Sequence, residues 1–249
     1  MAKSNFEVLA YEETPLGPIC LRRRALLSQS DVVVTEVTLN HEFLMSSLYT
    51  DSERALAEIA IQMHGGTHLR VMVAGLGLGY SAFESLKSEH VAYVEVVELL
   101  PQVIGWMKDG LIPLSQHLID QPRLTVIQAD AYSKLASAPE KKYDLILIDV
   151  DHSPDDRLGA GESITFYSEE GLSAAKKHLR PGGVLGVWSY AESSPFADAL
   201  SASFTNVRIE PVTHQNELIN EEHTDWLFFA SDGSARRNAL PIPAADEQT

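Results

Sequence analysis

The chain has 249 residues, 45% of them apolar, one cysteine (Cys20), and 35 carboxylates against 19 lysines and arginines, a formal net charge of −16. This length suits one α/β domain with a short appendage. No run of about 18 apolar residues reads as a membrane span, and a lone cysteine excludes an internal disulfide framework, which points to a cytoplasmic protein with Cys20 as a buried structural thiol. The acidic surface repels a phosphate backbone, so no nucleic-acid partner is expected and a small molecule, cationic by preference, is favoured.

Along the chain, FEVLAYEE, ICLRRRALL and DVVVTEVTL predict a small β-rich segment over residues 1–47, punctuated by Pro15, Gly17 and Pro18. Its basic run Arg22-Arg23-Arg24 is too short to reverse the charge balance. DSERALAEIAIQM predicts a helix capped by Asp51 or Ser52, with Leu56, Ile59, Ala60 and Met63 at helical spacing and a stop at Gly65-Gly66. LRVMVAGL, HVAYVEVVEL, RLTVIQAD, YDLILIDV and GGVLGVWSY then alternate with helical segments, the pattern of a parallel sheet covered on both faces by crossover helices. VRIEPVTH and TDWLFFA are joined by too few residues for a crossover helix and predict a terminal antiparallel pair. Residues 48–231 thus read as the main domain, and residues 232–249, which lack periodicity, as a flexible tail.

The chemistry gathers at strand ends. In VMVAGLGLGYSAFESL a buried strand ends at Ala74 and is followed by Gly75, Gly77, Gly79 and a helix start. Glycines there allow a tight turn and close approach of a ligand beside free helix N–H groups. The next strand ends in Glu98, an acid placed to accept both ribose hydroxyl hydrogens of a nucleoside, while Glu95 belongs to the strand body or the other face. A dinucleotide fingerprint requires glycine where Tyr80 stands, and the terminal antiparallel pair also fits it poorly, so NAD takes second place. Asp130 either reaches an adenine amino group or caps the helix AYSKLAS. Asp149 ends YDLILID and points toward the ligand crevice, with Asp151, His152, Asp155 and Asp156 following; carboxylates there can hold a cationic amine or accept its proton. A metal site at Asp151, His152 and Asp155 is not favoured, since nothing enforces ligand geometry. Trp188 follows a strand near the crevice mouth, whereas Trp106 and Trp226 read as packing residues.

Taken in order, GLGLGY, VEVVEL, QADAY, YDLILIDVD and LRPGGVLGVWS resemble a class I S-adenosylmethionine-dependent transferase, and within that class the spermidine synthase-like group, over roughly residues 30–230. The resemblance implies a Rossmann-like α/β fold: a mostly parallel seven-stranded sheet with a terminal antiparallel pair and helices on both faces, behind a small N-terminal β segment. It implies a donor loop at Gly75, Gly77 and Gly79, a ribose-binding Glu98, an adenine-side pair Asp130 and Ala131, and a catalytic Asp149 that helps activate the attacking amine. Asp151 and Trp188 become candidate substrate contacts, and the front β segment a candidate homodimer interface.

The chain departs from that group at three places. It has Leu78 where spermidine synthases carry an acid in the glycine loop, His152 where they carry a second Asp, and Asp51-Ser52-Glu53 near their Tyr-His-Glu stretch. An acid at position 78 would repel the carboxylate of S-adenosylmethionine and favour its decarboxylated form; Leu78 removes that penalty. The expectation is therefore a transferase that uses S-adenosylmethionine or decarboxylated S-adenosylmethionine and moves an aminopropyl or methyl group to a small amine. A non-catalytic nucleoside-binding regulator and, more weakly, an NAD-dependent oxidoreductase are the alternatives.

Overall fold

The computed structural model describes residues 5–26, 29, 31–158, 166–216 and 221–233. The front of the chain forms an antiparallel meander of β1 (Phe6–Glu12), β2 (Ile19–Ala25), β3 (Val33–Leu39) and β4 (Glu42–Ser46), in that spatial order. Asn40 and His41, at φ 50° and 70°, reverse the chain between β3 and β4, the double left-handed geometry of a tight hairpin turn. Ile19, Leu21, Val37 and Leu39 face the interior, while Phe6, Val8, Tyr11 and Val33 stay exposed on the segment where a dimer interface is expected. The basic run is spent internally. Arg22 and Arg24 ion-pair with the buried Glu36 at 2.9 and 2.6 Å, and Arg23 donates to the Leu111 carbonyl at 2.7 Å.

The second sheet is built from β5 (Leu69–Ala74), β6 (Val91–Glu98), β7 (Leu124–Gln128), β8 (Tyr143–Ile148), β9 (Leu179–Ser189), β10 (Asn206–Asn216) and β11 (Glu221–Ser231). Their order is β10-β11-β9-β8-β5-β6-β7; β5 to β9 pair in parallel, and β11 runs antiparallel to both β9 and β10. The helices are α1 (Asp51–His64), α2 (Tyr80–Lys87), α3 (Pro101–Lys108), α4 (Ser115–Leu118), α5 (Ala131–Ala136), α6 (Glu169–Lys176) and α7 (Ser194–Ser203). The period-two alternation of the strands decides which helices cover which face. Val71, Val73, Leu145 and Leu147 pack with Leu56, Ala57 and Ala60 of α1, while Met72, Ala74, Ile146 and Ile148 pack with Leu135, Leu172, Phe196 and Leu200 of α5, α6 and α7. The inner side of the N-terminal sheet belongs to the first of these cores, so the two sheets share it. No helix among the described residues is long and apolar enough to cross a membrane.

The expected mostly parallel seven-stranded sheet, its terminal antiparallel pair and the front β segment are all present. Some details differ. Thr50, not Asp51 or Ser52, takes the N-cap of α1 and makes no side-chain cap bond, because the Ser52 hydroxyl is drawn to β11 instead. β4 carries no β-branched residue and escapes the sequence pattern, and β7 stops at Gln128, short of Asp130. Of the expected tail, Asp232 pairs with Lys176 at 2.6 Å, and residues 234–249 lie outside the described residues.

The strand order reverses between β5 and β8, where α/β sheets open a crevice at their carboxyl ends. There the two chains touch through backbone. The Asp149 N–H donates to the Ala74 carbonyl at 3.0 Å, and a Cβ on Gly75, at φ 89°, would lie 2.2 Å from the Asp149 carbonyl oxygen. Gly75→Ala should therefore cost about 3 kcal/mol or more, from left-handed strain plus the clash, and lower Tm by roughly 10 °C in a thermal melt. A Tm within a degree or two of the parent would show that this seam is not held as tightly as the distances state.

Candidate active site

Two adjoining cavities open at the switch point. The glycine-side cavity, about 180 Å³, is lined by Gly75, Gly77, Glu98, Leu99, Leu100, Val103, Asp130 and Ala131. The larger acidic cleft, about 320 Å³, is lined by Tyr49, Glu53, Leu78, Gly79, Tyr80, Trp188, His214 and Asp225, among others. Met45, Gly77, Asp149, Val150 and Asp151 border both, which puts Asp149 at the junction. Met45 of β4 packs over the glycine turn, its sulfur 3.1 Å from where a Gly77 Cβ would stand. The N-terminal sheet thus walls both cavities.

Glu98 ends β6 with each oxygen accepting one backbone N–H, from Leu76 and from Leu100, both at 2.8 Å. The carboxyl is thus tied to the glycine turn and to the start of α3, on the wall of the cavity. Burial pushes the Glu98 carboxyl above its usual pKa, against the pull of those N–H groups. Asp130 caps α5: one oxygen accepts the Tyr132 N–H at 3.0 Å and the other the Ser133 hydroxyl at 2.7 Å. Of the two roles open to it in the sequence, the cap is the one these bonds fill, and it leaves Asp130 on the cavity wall beside Ala131. An apolar pocket with acids on its wall and a glycine floor suits an adenosine-sized group.

In the acidic cleft, Asp149 accepts the Ser81 hydroxyl at 2.6 Å. Its pKa is pushed up to about 6, first by burial, with the Ser81 bond opposing and the charge of Asp225 adding. Glu53, in the first turn of α1, is pushed up to about 8 by burial and then by Asp149 and Asp225. Burial also raises Asp225, against the Ser52 hydrogen bond and the nearby His214 and His223. Ser52 donates to Asp225 at 2.6 Å and accepts the indole N–H of Trp188 at 2.9 Å. Among the described residues, neither lysine nor arginine lines the cleft. Glu53, Asp149 and Asp225 thus line one cleft, and buried carboxyls of this kind call for a countercharge.

The structure brings Gly75, Gly77, Gly79, Glu98, Asp130, Ala131, Asp149 and Trp188 to these two cavities. Asp151 borders both, but its oxygens already accept the hydroxyls of Tyr132 at 2.6 Å and Tyr167 at 3.0 Å and the Leu158 N–H at 2.9 Å. That satisfied, buried carboxylate ties down the segment after β8, which argues against an ammonium contact at Asp151. Glu95 lies in the strand body, buried against Tyr143, Lys134 and Lys141, as expected. Trp106 packs and donates to Glu12 at 3.1 Å, and Trp226 packs in the second core. Glu53 and Asp225 were not singled out as site residues by sequence reasoning. A signal existed for Asp225, the acid directly before the apolar run WLFFA, but its partner Ser52 is 173 positions away.

These carboxyls make stability depend on pH. An unfolded glutamate titrates near 4.5, whereas Glu53 keeps its proton to about 8. Between those values the folded chain binds more protons than the unfolded one, so its stability falls as pH rises through that window; Asp149 and Asp225 act with the same sign. Glu53→Gln, neutral throughout, should lose less Tm than the parent between about pH 5 and about pH 8. Equal slopes in thermal melts would place the proton elsewhere.

No protein-family profile matches the chain. It is 30% identical over 189 residues to the polyamine aminopropyltransferase of Prochlorococcus marinus, a match that covers 71% of this chain and 61% of that protein. It is 28% identical over 124 residues to putrescine N-methyltransferase 2 of Nicotiana attenuata, covering 50% of this chain and 31% of that one. Among solved structures, a spermidine synthase in complex with the transition state analogue AdoDATO superposes with a TM-score of 0.72 at 19% identity, over 91% of this chain and 74% of that one. The chain is similar in sequence to polyamine aminopropyltransferases, spans less than two thirds of the length of these curated relatives, and shares the Rossmann-like fold of the solved spermidine synthases.

Proposed function

We propose that the chain transfers an alkyl group, aminopropyl by first reading, from an S-adenosylmethionine-type sulfonium to a nitrogen of a small cationic amine. The observation that carries this is the convergence of Glu53, Asp149 and Asp225 on one cleft, without a lysine or arginine, beside the glycine turn. Three carboxyls with raised pKa values are frustrated when the cleft is empty, and an ammonium relieves them. The relatives named for aminopropyl transfer support the group transferred.

Asp149, at about 6, is close enough to neutrality to take a proton from the attacking amine, and Ser81 fixes its orientation. The amine lone pair then forms the new N–C bond as the adjacent C–S bond breaks. The electron pair stays on sulfur, and a neutral thioether nucleoside leaves. Catalysis of this kind rests on positioning, which the Asp149 and Gly75 backbone contact supplies. In this reading Glu98 holds the ribose hydroxyls and Gly75, Gly77 and Gly79 form the donor loop. Methyl transfer is the second reading, favoured by Leu78, which places an apolar side chain rather than an acid on the cleft wall.

Calorimetry with S-adenosylmethionine and its decarboxylated form, followed by product detection with 1,4-diaminobutane, tests both. Tighter binding of the decarboxylated donor with an aminopropylated product supports the first reading; equal or tighter binding of S-adenosylmethionine with a methylated product supports the second. Donor binding without product across an amine panel would replace both with nucleoside sensing. Asp149→Asn should lower turnover by about 100-fold or more while donor affinity changes little. Undiminished turnover would remove Asp149 as the base.

A further inference from the structure

We infer that the buried Asp151 is a positioning residue for the donor: its oxygens are spent inside the protein, where they tie down part of the wall of the glycine-side cavity and so set how tightly a nucleoside is held there. This rests on the reading of that cavity as the donor site. Three segments meet on the one carboxylate. Oδ2 accepts the hydroxyls of Tyr132 at 2.6 Å and Tyr167 at 3.0 Å, and Oδ1 accepts the Leu158 N–H at 2.9 Å. Tyr132 and Leu158 line the glycine-side cavity, whereas Tyr167 lines neither cavity. Tyr132 is held at both ends, since its N–H is bound by Asp130, which lines the same cavity together with Ala131. Asp130, Ala131, Tyr132 and Leu158 thus hang on Asp151, directly or through a neighbour.

The arrangement is a costly way to fill a core. Among the described residues the carboxylate is met by two hydroxyls and an N–H rather than by an ion pair, and Arg157 stands over the Tyr167 ring, 6.0 Å from its centroid. Each phenol has one proton and gives it to Asp151, so the 2.9 Å contact between the two phenol oxygens has no proton of its own. Burial first, and then the neighbouring Tyr167 and Asp151, pushes Tyr132 well above the usual phenol pKa; burial and Asp151 do the same to Tyr167, so both protons stay in place. Apolar side chains of similar size would fill the space at a lower desolvation cost. What they would not do is hold the Leu158 N–H and the Tyr132 ring still against the cavity, which a satisfied polar network does. Asp151 is placed for that task, two residues past Asp149 and on the border of both cavities.

Calorimetry with 5′-methylthioadenosine, which carries the adenosine and sulfur common to both donor forms, tests this on the parent, Asp151→Asn, Tyr167→Phe and the double variant. Asp151→Asn should raise Kd by about 3- to 30-fold, and Tyr167→Phe by about 2- to 5-fold although Tyr167 lines neither cavity. In the Asp151→Asn background Tyr167→Phe should add no further loss, because its route to the cavity is gone. In turnover the same variants should raise the donor KM more than they lower kcat. Should Asp151→Asn fail to fold, Tyr167→Phe carries the test alone. An unchanged Kd in the folded variants, whatever their Tm, or a loss confined to kcat overturns the inference and leaves the donor reading standing. A parent chain that does not bind 5′-methylthioadenosine overturns the donor reading, and the inference with it.

Discussion

The site depends on a backbone contact rather than on any side chain. Where β5 and β8 part, Gly75 must bring its Cα against the Asp149 carbonyl, and the Asp149 N–H must close onto Ala74. Any side chain at 75 would wedge the two strand ends apart. This seam sets how far the glycine turn stands from the Asp149 carboxylate, and it divides the crevice into a glycine-side cavity and an acidic cleft. Glu98, one strand over, follows from the same construction, because its carboxylate binds the Leu76 N–H of the turn. Turn, acid and candidate base are thus parts of one rigid unit at the switch point.

Electrostatics in the acidic cleft runs against the stability of the empty fold. Burial raises Glu53, Asp149 and Asp225 together, Asp149 and Asp225 raise Glu53 further, and Asp225 raises Asp149. A core replacing these groups with apolar side chains would be easier to fold, since burying carboxyls without a fixed countercharge costs desolvation energy. Strain of this kind persists where function needs it. In the amine-transfer reading an incoming cation would supply the missing countercharge, and the net charge of −16 favours cations near the surface.

Legibility in the sequence followed the local character of each signal. The glycine turn, Glu98 and Asp149 could be read because each closes a near-continuous apolar strand, and in a parallel sheet such ends share one edge. Asp130 was ambiguous for a physical reason: helix capping and cavity lining both require an acid just after a strand. β4 was not separately visible, since EFLMS has neither β-branched residues nor strict alternation, yet it supplies Met45 to both cavities. Of the Asp225 site the sequence offered only an acid before an apolar run, not its partners. The site needs the register that sets Trp226 opposite Ser189 and Leu227 opposite Trp188, together with the arrival of Ser52 from the far end of the chain.

That division has a mechanistic meaning. Apart from the wall given by the N-terminal sheet, residues facing the glycine-side cavity come from the parallel half of the main sheet, where strands are buried between crossover helices. The cleft residues Glu53, Trp188, His214 and Asp225 come from α1 and from the β9, β11 and β10 edge. A hairpin edge tolerates a changed side chain without moving the switch point, because its antiparallel pairing does not pass through β5 or β8. Binding of a nucleoside-type ligand can therefore stay fixed while the choice of the second ligand drifts. In this chain position 152 holds a histidine where the resemblance places an acid, and Asp225 lines the cleft from the hairpin edge. The hydroxyl of Ser52 joins the two halves: it hangs from the helix that covers the parallel strands and holds both an indole and a carboxylate of the antiparallel edge.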